Sequence, residues 1–121
     1  MRRKSWSFAF LALFVLPSVS GCHSAFEGGM AAFHHADYPR AARELRNAAM
    51  QGVSKQDGPR YDLYVGLTHL ALGNAGPAVI HLRRARAQLD RDPTYFSLAE
   101  RARIFSAWRS LGKMPGEALV W

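Results

Sequence analysis

Ala36-Asp37-Tyr38-Pro39-Arg40-Ala41-Ala42-Arg43-Glu44-Leu45-Arg46-Asn47-Ala48 aligns with Gly73-Asn74-Ala75-Gly76-Pro77-Ala78-Val79-Ile80-His81-Leu82-Arg83-Arg84-Ala85 at a shift of 37 residues. In both stretches a capping residue leads into small and apolar side chains at helical spacing: Ala41, Leu45 and Ala48 in one, Ala78, Leu82 and Ala85 in the other. The same spacing extends outward through Leu63, Leu67 and Leu70, and again through Phe96, Ile104, Phe105, Trp108 and Leu111, while no stretch alternates as a strand would. Proline is tolerated in the first turn of a helix and excluded from its interior, so Pro39, Pro59, Pro77, Pro93 and Pro115 read as markers of helix starts. Asp37, Asn74 and Asp92 are placed as caps, and Ser24-x-x-Glu27 has the spacing of a capping box. These signals predict an all-α chain with helices at 24–35, 38–51, 59–72, 76–89 and 93–111, and a sixth beginning near Pro115.

The repeated unit resembles the tetratricopeptide repeat (TPR), a helix-turn-helix of about 34 residues with small residues where its two helices cross. The residues carrying the resemblance are Gly29, Tyr38, Ala41, Leu45 and Ala48 in the first unit and Gly66, Gly73, Ala78, Leu82 and Ala85 in the second, with Pro93 closing it. A third half-unit supplies Ile104, Trp108, Leu111 and Gly112, with Phe105 where the pattern expects a small residue. The implied fold is a short TPR-like helical solenoid of about two and a half repeats, in which Gly66 and Ala78 are facing contact points of the second pair. The resemblance also implies a groove lined by the first helix of each pair: Phe26, Met30, Phe33 and His34 from the first unit, and Arg60, Leu63, Leu67 and Leu70 from the second. Such a groove suits an amphipathic helix or extended peptide of a protein partner. The same leucines could equally be core, with the concave face folded shut.

The repeat occupies only part of the 121 residues. Residues 1–21 read as a signal peptide: the basic run Arg2, Arg3, Lys4, an apolar run from Trp6 to Leu16, and small residues ahead of Cys22. Eleven apolar residues fall well short of the roughly 20 needed to cross a bilayer as a helix. Val19-Ser20-Gly21-Cys22 resembles the lipobox of bacterial lipoproteins, in which the cysteine is acylated and becomes the new N-terminus. An ordinary small-x-small cleavage site at Ser18-Val19-Ser20, or retention of the segment, are the other readings. In lipoproteins of two-membrane bacteria an Asp after the cysteine signals inner-membrane retention. Here His23 follows, so the resemblance implies a lipid-anchored protein on the periplasmic face of the outer membrane.

Composition narrows the function. The chain carries 16 basic and 9 acidic residues, a net charge of +7, but three of the basic ones lie in the leader, so residues 22–121 carry only +4. With 49% hydrophobic and 21% charged residues the chain suits a packed domain and not a disordered one. Export and anchoring argue against nucleic acid as a partner. The cluster Arg83, Arg84, Arg86, with Arg91 beyond, reads first as a solvated outer face and second as a contact for acidic headgroups. A lone cysteine forms no internal disulfide and no paired-cysteine metal site. The chain contains no G-x-S-x-G elbow, phosphate-binding glycine loop or HExxH motif. His34 and His35 sit about 100° apart on a helix, unsuited to chelating one ion together, and His69 and His81 have no Cys or carboxylate at ligand spacing beside them. The expectation is therefore a non-enzymatic module with no catalytic or metal site and no cofactor beyond a covalent lipid on Cys22. Its role would be a TPR-like scaffold assisting assembly of an outer-membrane, pilus or secretion complex. The alternative is an accessory lipoprotein that recruits or activates a peptidoglycan enzyme.

Overall fold

The computed structural model describes residues 24–112. Cys22, the leader and the helix expected near Pro115 lie outside them. The described residues form five helices, α1 (Ala25–His34), α2 (Tyr38–Gln51), α3 (Gly58–Ala71), α4 (Ala75–Arg91) and α5 (Leu98–Leu111), with no strand among them. Helices α1 and α2 pack along each other as one hairpin and α3 and α4 as a second, with lighter contacts joining α2 to α3 and α4 to α5. The chain is thus an all-α domain of paired helix-turn-helix units, consistent with a short TPR-like solenoid.

The termini follow from local chemistry. Ser24 Oγ accepts from Glu27 N at 3.2 Å, and Asp37 Oδ1 accepts from Arg40 N at 3.2 Å, each satisfying a donor that the first turn leaves open. Pro39 and Pro59 lie in the first turns of α2 and α3. Asn74 occupies the N-cap position of α4, but its side chain makes no capping bond. The turns within the two hairpins are equivalent. Gly73 (φ 79°) closes α3–α4, whereas Ala36 (φ 56°) holds the matching left-handed position between α1 and α2, where its Cβ is strained.

One boundary differs from the sequence expectation. Helix α5 begins at Leu98, not at Pro93, because Asp92 is committed elsewhere: its Oδ1 accepts from Thr94 N at 3.1 Å and from Thr94 Oγ1 at 2.6 Å. That side chain forms a turn and does not cap a helix. The cap is Ser97, whose Oγ accepts from Glu100 N at 3.1 Å while Glu100 Oε1 accepts from Ser97 N at 3.0 Å, a complete capping box. The intervening loop inserts Phe96, 2% exposed, into the core.

Packing explains the repeat. A Cβ built on Gly29 would lie 2.7 Å from Leu45 Cγ, and one on Gly66 would lie 2.6 Å from Leu82 Cγ. Each glycine is thus a socket for a leucine of the second helix, and the two sockets recur at the 37-residue shift. The residue that a Cβ on Gly66 would meet is therefore Leu82, where the sequence pattern set Ala78 opposite it. Ala41, Ala78 and Ala85 are fully buried, and Ala48 nearly so, which lets the helices of each pair approach closely. The main core gathers Leu63, Leu67, Leu82, Leu89, Phe96, Ile104 and Leu111, and a smaller cluster of Leu45, Tyr64 and Val65 joins the first hairpin to the second. Each fully buried leucine contributes roughly 1.5–3 kcal/mol. Phe105, where the repeat expects a small residue, is 48% exposed, with the Arg86 guanidinium 5.5 Å from its ring centre.

Candidate functional site

The first helices of successive pairs, α1, α3 and α5, share a face, since α3 contacts both of the others. Between them lies an open cleft of about 160 Å³ lined by Phe33, Leu67 and Leu70 on one side and Arg103, Ser106, Ala107 and Ser110 on the other. Helical spacing accounts for the second wall: Arg103, Ser106, Ala107 and Ser110 fall at i, i+3, i+4 and i+7, one stripe of α5.

The eight residues expected to line a groove divide among five environments. Phe33, Leu67 and Leu70 come together in the cleft, although Leu67 is only 8% exposed and belongs partly to the core. Phe26 and Met30 are partly buried against the Leu45, Tyr64 and Val65 cluster, Phe26 meeting Tyr61 edge-on at 6.0 Å. Leu63 is fully buried, a core residue with no surface to offer. Arg60 is held in place: Nε donates to Glu100 Oε2 at 3.0 Å and Nη2 to the Tyr95 carbonyl at 3.1 Å. His34 lies at the rim, exposed, with Nε2 3.3 Å from Tyr64 Oη. Residues Arg103, Ser106 and Ser110 were not read as groove residues from the sequence. The signal was present in the assignment of α5 as the first helix of a third unit, which puts its non-core positions on the same face.

Aromatic contacts stiffen the floor. The Phe33 ring meets Tyr64 edge-on at 5.4 Å, Tyr38 at 5.6 Å and His34 at 5.7 Å, and the Arg103 guanidinium lies 5.5 Å from its centre. Burial, and then the charge of Arg103, hold the His34 imidazole below its ordinary value, while burial pushes the Tyr64 phenol up. The cleft therefore presents an apolar floor, one guanidinium and two hydroxyls. Such a surface can seat an apolar side chain of a docked segment and bond the polar groups beside it. Among the described residues no three His, Cys, Asp or Glu side chains converge where they could hold a metal ion.

No family model, curated protein or solved structure matches the chain.

Proposed function

We propose that the chain is a membrane-anchored scaffold of the bacterial envelope: a lipoprotein acylated at Cys22, on the periplasmic face of the outer membrane, whose concave face holds a segment of a partner protein during assembly of an outer-membrane, pilus or secretion complex. The observation that carries the binding role is the cleft where Phe33 and Leu70 meet Arg103, Ser106 and Ser110 across adjacent first helices. The anchor rests on the basic, apolar and small-residue order ahead of the lone cysteine. Two or more acyl chains would make attachment effectively permanent, since each buried methylene adds about 0.8 kcal/mol. Helix α1 starts at Ala25, so His23 and Ser24 would span at most about 7 Å between the lipid and the domain. The partner would accordingly be membrane-embedded or membrane-proximal.

Two experiments test this reading. Cys22→Ser is expected to abolish labelling by a fatty-acid probe and to move the protein out of the membrane fraction. Persistent labelling of the variant would end the lipoprotein assignment. For the cleft, Leu70→Asp combined with Ser110→Glu places two carboxylates on a partly open surface, and should weaken partner capture at least about tenfold in crosslinking from intact envelopes. Ile80→Asp, at an exposed site on α4, should leave capture unchanged. A cleft variant with wild-type circular dichroism that still captures the same partner would remove the cleft from the account. Leu67→Asp is unsuited to this test because it would charge the core.

A further inference from the structure

Because each hairpin is antiparallel, the starts of α1, α3 and α5 and the ends of α2 and α4 come to one end of the domain. Side chains from all of them meet there. Ser24 and Phe26 line a small cleft with Gln51 and Asp57, the Tyr95 hydroxyl donates to the Gln56 carbonyl, and Arg60 reaches Glu100. Ser24 stands at this end, two residues from Cys22.

The same end carries the two most exposed large hydrophobic side chains among the described residues, Met50 at 76% and Leu98 at 77%. Neither serves the core. Met50 lies in the last turn of α2, 200° around the helix from buried Ala48, and Leu98 opens α5 directly after its Ser97 cap. The carboxylates beside them are turned to donors of the domain itself. Asp57 accepts from the Ser54 hydroxyl at 3.0 Å, Asp90 pairs with Arg86 at 3.1 Å, and Asp92 accepts from Thr94. Lys55 and Arg91 are exposed here, and no carboxylate among the described residues pairs with either.

We propose that the domain sits end-on upon the bilayer that anchors it, with Met50 and Leu98 in the interfacial region and Lys55 and Arg91 reaching headgroup phosphates. This rests on the acylation of Cys22 proposed above. A two-residue tether spans about 7 Å and cannot bring the bilayer to the opposite end of the domain, which lies about 20 Å away along the 14 residues of α3. Apolar side chains at membrane surfaces enter about 5–10 Å into the boundary between headgroups and acyl chains. Two such side chains suffice here, because the lipid makes their contact with the bilayer intramolecular. The seating also places the concave cleft. Phe33, Leu70 and Ser106 stand 8, 12 and 8 residues beyond the first residues of their helices. The cleft is thereby held about 12–18 Å from the seated end, so a partner must offer it a segment that stands clear of the headgroups.

The test uses the acylated full-length chain in vesicles of phosphatidylethanolamine and phosphatidylglycerol with brominated acyl chains. One cysteine at a time is introduced and labelled with an environment-sensitive fluorophore: Met50→Cys, Leu98→Cys, Leu72→Cys at the opposite end, and Ile80→Cys on the outer face of α4. All four positions are exposed, so the substitutions spare the packing. Acylation blocks Cys22, and the chain without an introduced cysteine should take up no dye. Emission from positions 50 and 98 should shift to the blue and be quenched at least about twofold more than from position 72, given the ~20 Å between the two ends. Uptake of dye by the chain without an introduced cysteine would reveal a free Cys22 thiol and end the anchor and the seating together. With Cys22 blocked, three results would overturn the seating and leave the anchor standing: equal quenching at all four positions, strongest quenching at position 80, or a blue shift at 50 and 98 without quenching, the mark of a protein covering this end.

Discussion

Gly66→Ala is expected to destabilise the domain by about 2 kcal/mol, a fall in melting temperature of roughly 8–16 °C for a domain of this size. Gly66→Leu should leave little cooperative folding at 37 °C. Alanine ordinarily stabilises a helix interior relative to glycine by about 1 kcal/mol, so the direction itself is diagnostic. The new Cβ would sit 2.6 Å from Leu82 Cγ and 3.1 Å from the Leu82 backbone nitrogen. Leu82 is fully buried and has nowhere to turn, so α4 itself must move away from α3. Gly58 and Gly76 have nothing within 4 Å of an added Cβ, and alanine there should be neutral or mildly stabilising. Leu82→Ala introduced into Gly66→Ala should recover at least about 1 kcal/mol relative to the sum of the single variants, since it removes the Cγ and Cδ2 atoms that the new Cβ at position 66 would strike. Thermal melts of this set would reject the α3–α4 register if Gly66→Ala proved as benign as Gly76→Ala.

Glu100→Ala should cost about 2–3 kcal/mol, although the residue touches no part of the cleft floor. Its side chain is 8% exposed and does two jobs: Oε1 closes the capping box with Ser97, and Oε2 accepts from Arg60 of α3. Loss of the cap accounts for about 1 kcal/mol. Loss of a charge-assisted bond to an arginine that is itself 30% exposed accounts for a further 1–2. Glu100→Gln retains one acceptor oxygen and sets its NH2 against the other donor, so it keeps either the cap or the Arg60 bond and should cost about half as much. Denaturant melts of the two variants measure this directly, and equal losses would show that burial of the side chain matters and its charge does not.

The residues that made the fold legible in sequence are those whose role is local. Asp37 caps the helix that follows it, Pro39 and Pro59 stand in first turns, and Ala41, Leu45 and Ala48 repeat as Ala78, Leu82 and Ala85 because one kind of helix crossing is used twice. Asp92 and Pro93 misled for an equally local reason: Thr94 competes for the aspartate, and nothing in the residue types alone says which donor wins. Ser97-x-x-Glu100 was the stronger start signal. The cleft was half legible. Phe33, Leu67 and Leu70 follow from the repeat, whereas the burial of Leu63 and the tying of Arg60 to Glu100 depend on how closely α5 settles on α3. That settling is set by side chains 40 residues apart, beyond any periodicity within a helix.

The two glycine sockets also set an order of events as the chain folds. Gly29 meets Leu45, and Gly66 meets Leu82, across sixteen residues in each case. Loops that short close quickly, and chains dominated by such contacts fold within microseconds to milliseconds. Each hairpin can therefore form as soon as its own second helix is available, without waiting for the rest of the chain. The attachment of α5 is different, because Arg60 and Glu100 must find each other over 40 residues and α5 has only an existing surface to join. The concave cleft, half of which is α5, is thus the last part of the molecule to form. Any surface that a partner recognises there comes into being only after both hairpins are complete.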